Sequence, residues 1–137
     1  MGRNSRKLQR AYVVPYGRLK ELLSFDGRRD LVLAPEQVLN AIKLLLRGVE
    51  VDETWYLNEY ADVKEAVNQG AFRSARHHFI ENGYFEERRP FPVVVDDDWY
   101  GRAYPDVAEG VEFGEISSFQ EHFEMYGERE GRFPSED

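Results

Sequence analysis

Cysteine is absent from the 137-residue chain, and that one absence excludes disulfide stapling, thiolate zinc sites, iron–sulfur clusters and cysteine nucleophiles. Long apolar runs are missing as well. Leu44-Leu45-Leu46 follows Lys43 and stops just before Arg47 and Gly48, far short of the roughly 20 apolar residues a bilayer-spanning helix needs. The basic start at Arg3, Arg6, Lys7 and Arg10 leads into no apolar stretch of the kind a secretory leader carries. The expectation is a soluble, cytoplasmic protein with no membrane span. There is no Walker loop, dinucleotide-binding glycine fingerprint, Gly-x-Ser-x-Gly elbow or His-Glu-x-x-His pair. Carboxylates abound, but none are paired convincingly for hydrolysis, so no enzyme and no cofactor are expected.

What is present is enough to fold. Hydrophobic residues make up 42%, aromatic residues 14% and charged residues 32% of the chain, a balance that buries a core and keeps a solvated surface. The net charge of −8 hides a split: residues 1–50 carry ten Lys/Arg against five Asp/Glu, and 51–137 carry eight against 21. A basic segment of this size attracts anions, but it can equally dock on the protein's own acidic part or on that of a second copy. Nucleic acid is disfavoured by the acidic remainder.

Sliding the chain against itself by 44 residues superimposes 51–91 on 95–135 without a gap, with seventeen of 41 positions identical. The pairs include Trp55/Trp99, Tyr56/Tyr100, Tyr60/Tyr104, Asp62/Asp106, His78/His122, Phe79/Phe123, Gly83/Gly127, Arg88/Arg132 and Pro90/Pro134. A fixed period of this length marks a supersecondary unit used more than once. Asp52 or Asp96 is placed to cap a first short helix. A second begins near Ala61 or Pro105, with Asp62 or Asp106 in its first turn, and stops at Gly70 or Gly114. Ser74 or Ser118 caps a third, whose inward positions read Ala75, His78, Phe79 and Asn82, matched by Phe119, His122, Phe123 and Tyr126. Gly83 or Gly127 is expected to end it.

The fold class is therefore mainly α: two tandem three-short-helix modules, 51–91 and 95–135, packed as a pseudo-symmetric pair behind a basic N-terminal segment, 1–50. Forty residues are too few to bury their own aromatics, so the modules are expected to share one core. In the N-terminal segment, Tyr12-Val13-Val14 and Leu31-Val32-Leu33 are β-prone runs that could pair as a small patch, and Leu19, Leu22 and Leu23 suit a brief helix started by Pro15. The firmest element is a helix over 35–47, with Val38, Leu39, Ile42, Leu45 and Leu46 on one wide apolar face. That face needs burial, either on the modules or against a second chain, which makes it a candidate interaction surface.

Three repeated constellations could carry chemistry. His78 and His122 titrate near neutrality, and a metal site would need them to converge with carboxylates such as Asp62 and Asp106; the extra nitrogen of His77 is replaced by Glu121 in the other copy. Each repeated histidine adjoins Phe79 or Phe123 on an inward stripe, which favours a core role, and no metal is expected. Arg88 and Arg132 could grip anionic groups with their forked guanidinium geometry. Their recurrence with Asp62 and Asp106 favours an internal pair instead. The Trp55-Tyr56 and Trp99-Tyr100 pairs could stack on sugar rings or bases; Trp55 and Trp99 are assigned to the core with the histidines and phenylalanines, which leaves Tyr56 and Tyr100 as the candidates for contact.

Tyr104-Pro105-Asp106-Val107, His122-Phe123 and Gly127-Glu128-Arg129-Glu130-Gly131-Arg132-Phe133-Pro134 resemble a short bacterial module, found as accessory repeats in some bacterial glycosyltransferases and in large surface or secreted proteins. The first copy departs from that pattern at Ala61, Glu87 and Arg89. The resemblance covers 51–135 and brings no catalytic residue set; it implies a bacterial source and an association with surface polysaccharide. The reading is a non-enzymatic protein–protein interaction, adaptor or scaffold protein, with a protein partner or further copies of itself. Its surface would use Val38, Leu39, Ile42, Leu45, Leu46, Tyr56, Tyr100, Arg88 and Arg132. The alternative is a carbohydrate or anionic-glycan binding module that uses exposed Tyr and Arg.

Overall fold

A computed structural model of the chain describes residues 10–23 and 35–137. Regular structure among them is helical throughout, as the apolar spacing predicts. Helices α1 (Tyr16–Leu23) and α2 (Pro35–Leu46) precede the repeats. The first repeat folds into α3 (Glu53–Glu59), α4 (Ala61–Asn68) and α5 (Ala75–His78). The second folds into α6 (Asp97–Ala103), α7 (Pro105–Glu112) and α8 (Phe119–His122). Tyr12-Val13-Val14 takes no regular structure; the other β-prone run, Leu31-Val32-Leu33, and the basic residues Arg3, Arg6 and Lys7 lie outside the described residues.

The start and stop signals of the repeat act where the sequence puts them. Asp52 accepts a hydrogen bond from the backbone N–H of Trp55 at 3.0 Å, and Asp96 from that of Trp99 at 3.1 Å. The same two aspartates donate their own N–H to the carbonyls of Pro90 and Pro134, both at 2.9 Å, so each repeat is tied first residue to last. Pro105 sits at the start of α7, where its missing N–H leaves no intrahelical bond unmade. Gly70 and Gly114 end α4 and α7 with φ of +83° and +76°, a conformation that costs a residue with a Cβ. Ser74 and Ser118 cap α5 and α8 through the N–H of His77 and Glu121.

The end of the third helix differs from the sequence expectation. Gly83 and Gly127 do not terminate it; α5 and α8 run on into wide π turns, Phe79–Gly83 and Phe123–Gly127. A π turn holds one residue more than an α turn, which rotates the next inward position past Asn82 and Tyr126. Those two side chains are exposed, and the glycines are buried in their place. The true stop lies four residues on, at Glu87 with φ +64° and Gly131 with φ +83°.

The described residues fall into two units. One is Val13–Pro92; the other holds Val93–Asp137 and, from the N-terminal segment, residues 10–12. The first unit buries Ile42, Leu46, Tyr56, Val63, Ala75, Phe79 and Tyr84, with Val13, Tyr16, Leu19 and Val38 packed around them. Ile42 and Leu46 lie four apart on one stripe of α2 and, with Val38 partly buried beside them, lay that helix on the repeat; burying each such side chain contributes about 1.5–3 kcal/mol. The second unit buries Val95, Tyr100, Val107 and Phe123. Tyr12 covers them: its ring meets Phe123 edge-on at 5.8 Å and Phe133 at 6.2 Å, and its hydroxyl donates to Glu128 at 2.8 Å. The N-terminal segment thus supplies each repeat with cover that forty residues cannot provide for themselves.

Candidate functional site

The repeated polar residues form one chain of contacts in each unit. The Tyr56 hydroxyl lies 2.9 Å from His78 Nδ1, and the Tyr100 hydroxyl lies 2.9 Å from His122 Nδ1. His78 Nε2 faces Glu86 at 3.6 Å. A neutral imidazole with its proton on Nε2 suits both neighbours, accepting from the phenol and pointing its N–H at the carboxylate. Burial pushes the Tyr56 phenol well above its ordinary range and that of Tyr100 up to about 12, so both remain protonated donors. Burial lowers the His78 imidazole below its usual value, against the opposing charge of Glu86.

Outside this buried pair lies a clamp. Arg88 donates two hydrogen bonds to Asp62, at 2.9 and 2.7 Å, and Arg132 donates two to Asp106, at 3.0 and 2.7 Å. Glu86 and Glu130 take the remaining Nε edge at 3.4 and 2.9 Å. The guanidinium planes sit over Tyr60 and Tyr104 at 4.9 and 4.8 Å from the ring centres, and those tyrosine hydroxyls accept from the backbone N–H of Arg89 and Phe133. Hydrogen bonding from Arg88 holds the Asp62 carboxyl down at about 2, and Arg132 lowers Asp106 in the same way. The C-terminal loop of each repeat is thereby fastened to its second helix.

This geometry sorts the candidate residues. Tyr56 and Tyr100, expected at a surface, are 0% exposed, because it is the second aromatic of each Trp-Tyr pair that points inward. Trp55 and Trp99, expected in the core, are half-buried and stand edge-on to Tyr60 and Tyr104. His78, His122, Phe79 and Phe123 are buried. Arg88 and Arg132 are engaged as described. Of the apolar face of α2, Ile42 and Leu46 are buried and Val38 and Leu39 half-buried, but Leu45 is 77% exposed and its neighbour Leu44 70%. Among the described residues no group of three or more His, Asp or Glu is placed to hold a metal ion, and no helix is long and apolar enough to cross a membrane.

One open cleft of about 530 Å³ lies between the C-terminal half of α2 and the start of α5. It is lined on one side by Asn40, Lys43, Leu44 and Arg47, and on the other by Arg73, Ser74, Arg76, His77, Ile80 and Glu81. Arg76 is committed to the fold, donating to the carbonyls of Arg47 and Val49 beyond the end of α2. Lys43 is paired with Glu81 at 3.1 Å. Arg47 and Arg73 are exposed, and none of the ion pairs among the described residues engages their guanidinium groups.

The repeat register shows which of these cations belong to the fold. Gln120, the counterpart of Arg76, donates to the carbonyl of Val93, the counterpart of Val49. That contact is a shared brace made by two different side chains. Arg73 and His77 correspond to Ser117 and Glu121, so the basic lining is peculiar to the first copy. Arg47, Arg73 and Ile80 were not marked by sequence motif; the divergence at 73/117, 76/120 and 77/121 was the available signal. Compared with protein-family models, curated proteins and solved structures, the chain matches none of them.

Proposed function

We propose that the protein is a non-enzymatic interaction module, an adaptor or scaffold whose recognition surface is the exposed end of α2 and the basic cleft beside it. The observation that carries this reading is the pairing of Leu44 and Leu45, both mostly in water, with Arg47 and Arg73, two exposed cations of the same unit. Apolar side chains flanked by charge with no intramolecular use are the composition of a docking patch. A catalytic reading has less to work with. The Tyr56–His78 and Tyr100–His122 pairs are enclosed, and a general acid or base has to reach the group it serves.

The glycan alternative through Tyr56, Tyr100, Arg88 and Arg132 loses its contact residues to burial and to the aspartate clamps. On the resemblance of the repeats, the module is bacterial and serves surface-polysaccharide biology through a protein partner; its proposed location is the cytoplasm. The test is a pull-down from the source cell with the full chain and with the Leu44→Glu/Leu45→Glu variant. A stoichiometric partner retained by the first and lost by the second, at unchanged thermal stability, is the expected result. Equal retention by both, or recovery of the bait alone, overturns the reading.

A further inference from the structure

The two copies diverge in opposite directions, and the differences match. In the first copy, the positions equivalent to Ser117 and Glu121 hold Arg73 and His77, beside Lys43 of α2 and Arg47 just past its end. In the second copy, positions equivalent to Asn68, Gln69 and Ala71 became Glu112, Phe113 and Glu115. These three stand at the end of α7, all exposed, with the Phe113 ring 69% in water. Backbone hydrogen bonds close the turn: Phe113 N–H donates to Glu109, and the N–H groups of Glu115 and Ile116 both donate to the Gly110 carbonyl at 2.8 and 3.0 Å. One unit presents an aromatic flanked by carboxylates on a hydrogen-bonded turn. The other presents a cleft with Leu44 and Ile80 among its lining and arginines on both walls.

Resting on the interaction reading above, we propose that the occupant of the Arg47/Arg73 cleft is the Glu112-Phe113-Gly114-Glu115 turn of a second copy of this chain. Phe113 enters beside Leu44 and Ile80, and Glu112 and Glu115 meet Arg47 and Arg73. A free phosphate, a sugar acid or a long polyanion would satisfy the arginines but leave Leu44 and Phe113 in water. The contact joins two different surfaces, so it is heterologous: each added copy still offers a free cleft and a free turn, and growth continues until a ring closes. An interface this small is weak and salt-sensitive.

Sedimentation of the full chain over a concentration series tests this without any variant. Average mass is expected to climb to roughly twice the monomer or beyond as concentration rises, with association weakened roughly tenfold between about 50 mM and about 500 mM salt. Two charge-reversed proteins, Arg47→Glu/Arg73→Glu and Glu112→Arg/Glu115→Arg, change only exposed side chains. Each alone is expected to stay monomeric, because it lacks one half of the contact. Mixed, they are expected to associate in equal proportion and to grow as the wild-type chain does, since the native turn of the first meets the native cleft of the second and the reversed turn of the second meets the reversed cleft of the first. A wild-type chain monomeric throughout, or a mixture that stays monomeric, overturns the proposal. If it falls while the Leu44→Glu/Leu45→Glu variant still loses a different protein in the pull-down, the interaction reading survives with another partner; if both fail, both are wrong.

Discussion

The Tyr56 hydroxyl occupies the space where a side chain on Gly83 would begin, and the Tyr100 hydroxyl does the same over Gly127. Both glycines have ordinary helical backbone geometry; φ at Gly83 is −59°. The constraint is therefore steric and comes from the phenol that reaches over the π turn to His78 or His122.

That relationship predicts a coupled pair of substitutions. Gly83→Ala alone is expected to cost about 1–3 kcal/mol, as overpacking does, and Tyr56→Phe about 1–2 kcal/mol, because the buried His78 Nδ1 loses its partner. Combined, they should cost less than their sum, since removing the hydroxyl makes room for the methyl. Chemical unfolding of a Trp99→Phe background, in which Trp55 alone reports on the first unit, measures the coupling. Strict additivity would refute the steric account.

Glu87 holds the left-handed conformation, φ +64°, that Gly131 holds in the second copy at +83°. A side chain there costs about 1–2 kcal/mol in the folded state, partly offset by the greater freedom glycine has when unfolded. Glu87→Gly is expected to stabilise the first unit by roughly 0.5–1 kcal/mol, and Gly131→Ala to destabilise the second by a similar amount. Thermal unfolding of the two variants should move in opposite directions; a lower melting temperature for Glu87→Gly would contradict the prediction.

The Arg88–Asp62 clamp gives the first unit an acid-sensitive component. Asp62 is about 2 in the folded chain against an ordinary 3.8, so its contribution is complete above 3.8 and is lost as pH falls towards 2. The carboxylate is largely exposed, which limits the clamp to about 0.5–1 kcal/mol near neutrality. Asp62→Asn should be less stable than wild type at pH 6, with most of that gap closed by pH 2. A gap of undiminished size at pH 2 would mean that packing, not charge, is responsible.

The helix starts, the α4 and α7 stops and the aspartate–arginine pairing were legible in the sequence because each depends on local chemistry: an oxygen three residues before an N–H, a glycine at positive φ, two charges retained together. What was not legible depends on the π turn. Nothing in Phe79-Ile80-Glu81-Asn82-Gly83 announces an extra residue in the turn, and without it Asn82 reads as inward and Gly83 as a terminator. The exchange of roles within the Trp-Tyr pairs has a related cause. Large aromatics score alike on apolar spacing, and only the reach of the phenol to a histidine 22 positions away decides which one turns inward. The basic cleft was hidden for a different reason: its two walls come from α2 and α5, and no spacing within either element announces the meeting.

The buried histidine of the first unit makes a separate prediction at milder pH. His78 is lowered from its ordinary 6.5, first by burial and further by the charges of Arg88 and His77, while Glu86 and Asp62 act in the opposite sense. Below 6.5 the unfolded chain binds a proton that the folded chain resists, so stability is complete above 6.5 and declines as pH falls through that value towards the folded pKa. Cooling the comparison to one unit, again with Trp55 as the sole reporter, the midpoint of urea unfolding should drop between pH 7 and pH 5. In His78→Asn the amide oxygen can still accept from the Tyr56 hydroxyl but nothing titrates. That variant should therefore start lower at pH 7 yet lose less on acidification. An equal loss in both proteins would place the pH response elsewhere, in the exposed carboxylates, and would leave the Tyr56–His78 contact with a purely steric part in the fold.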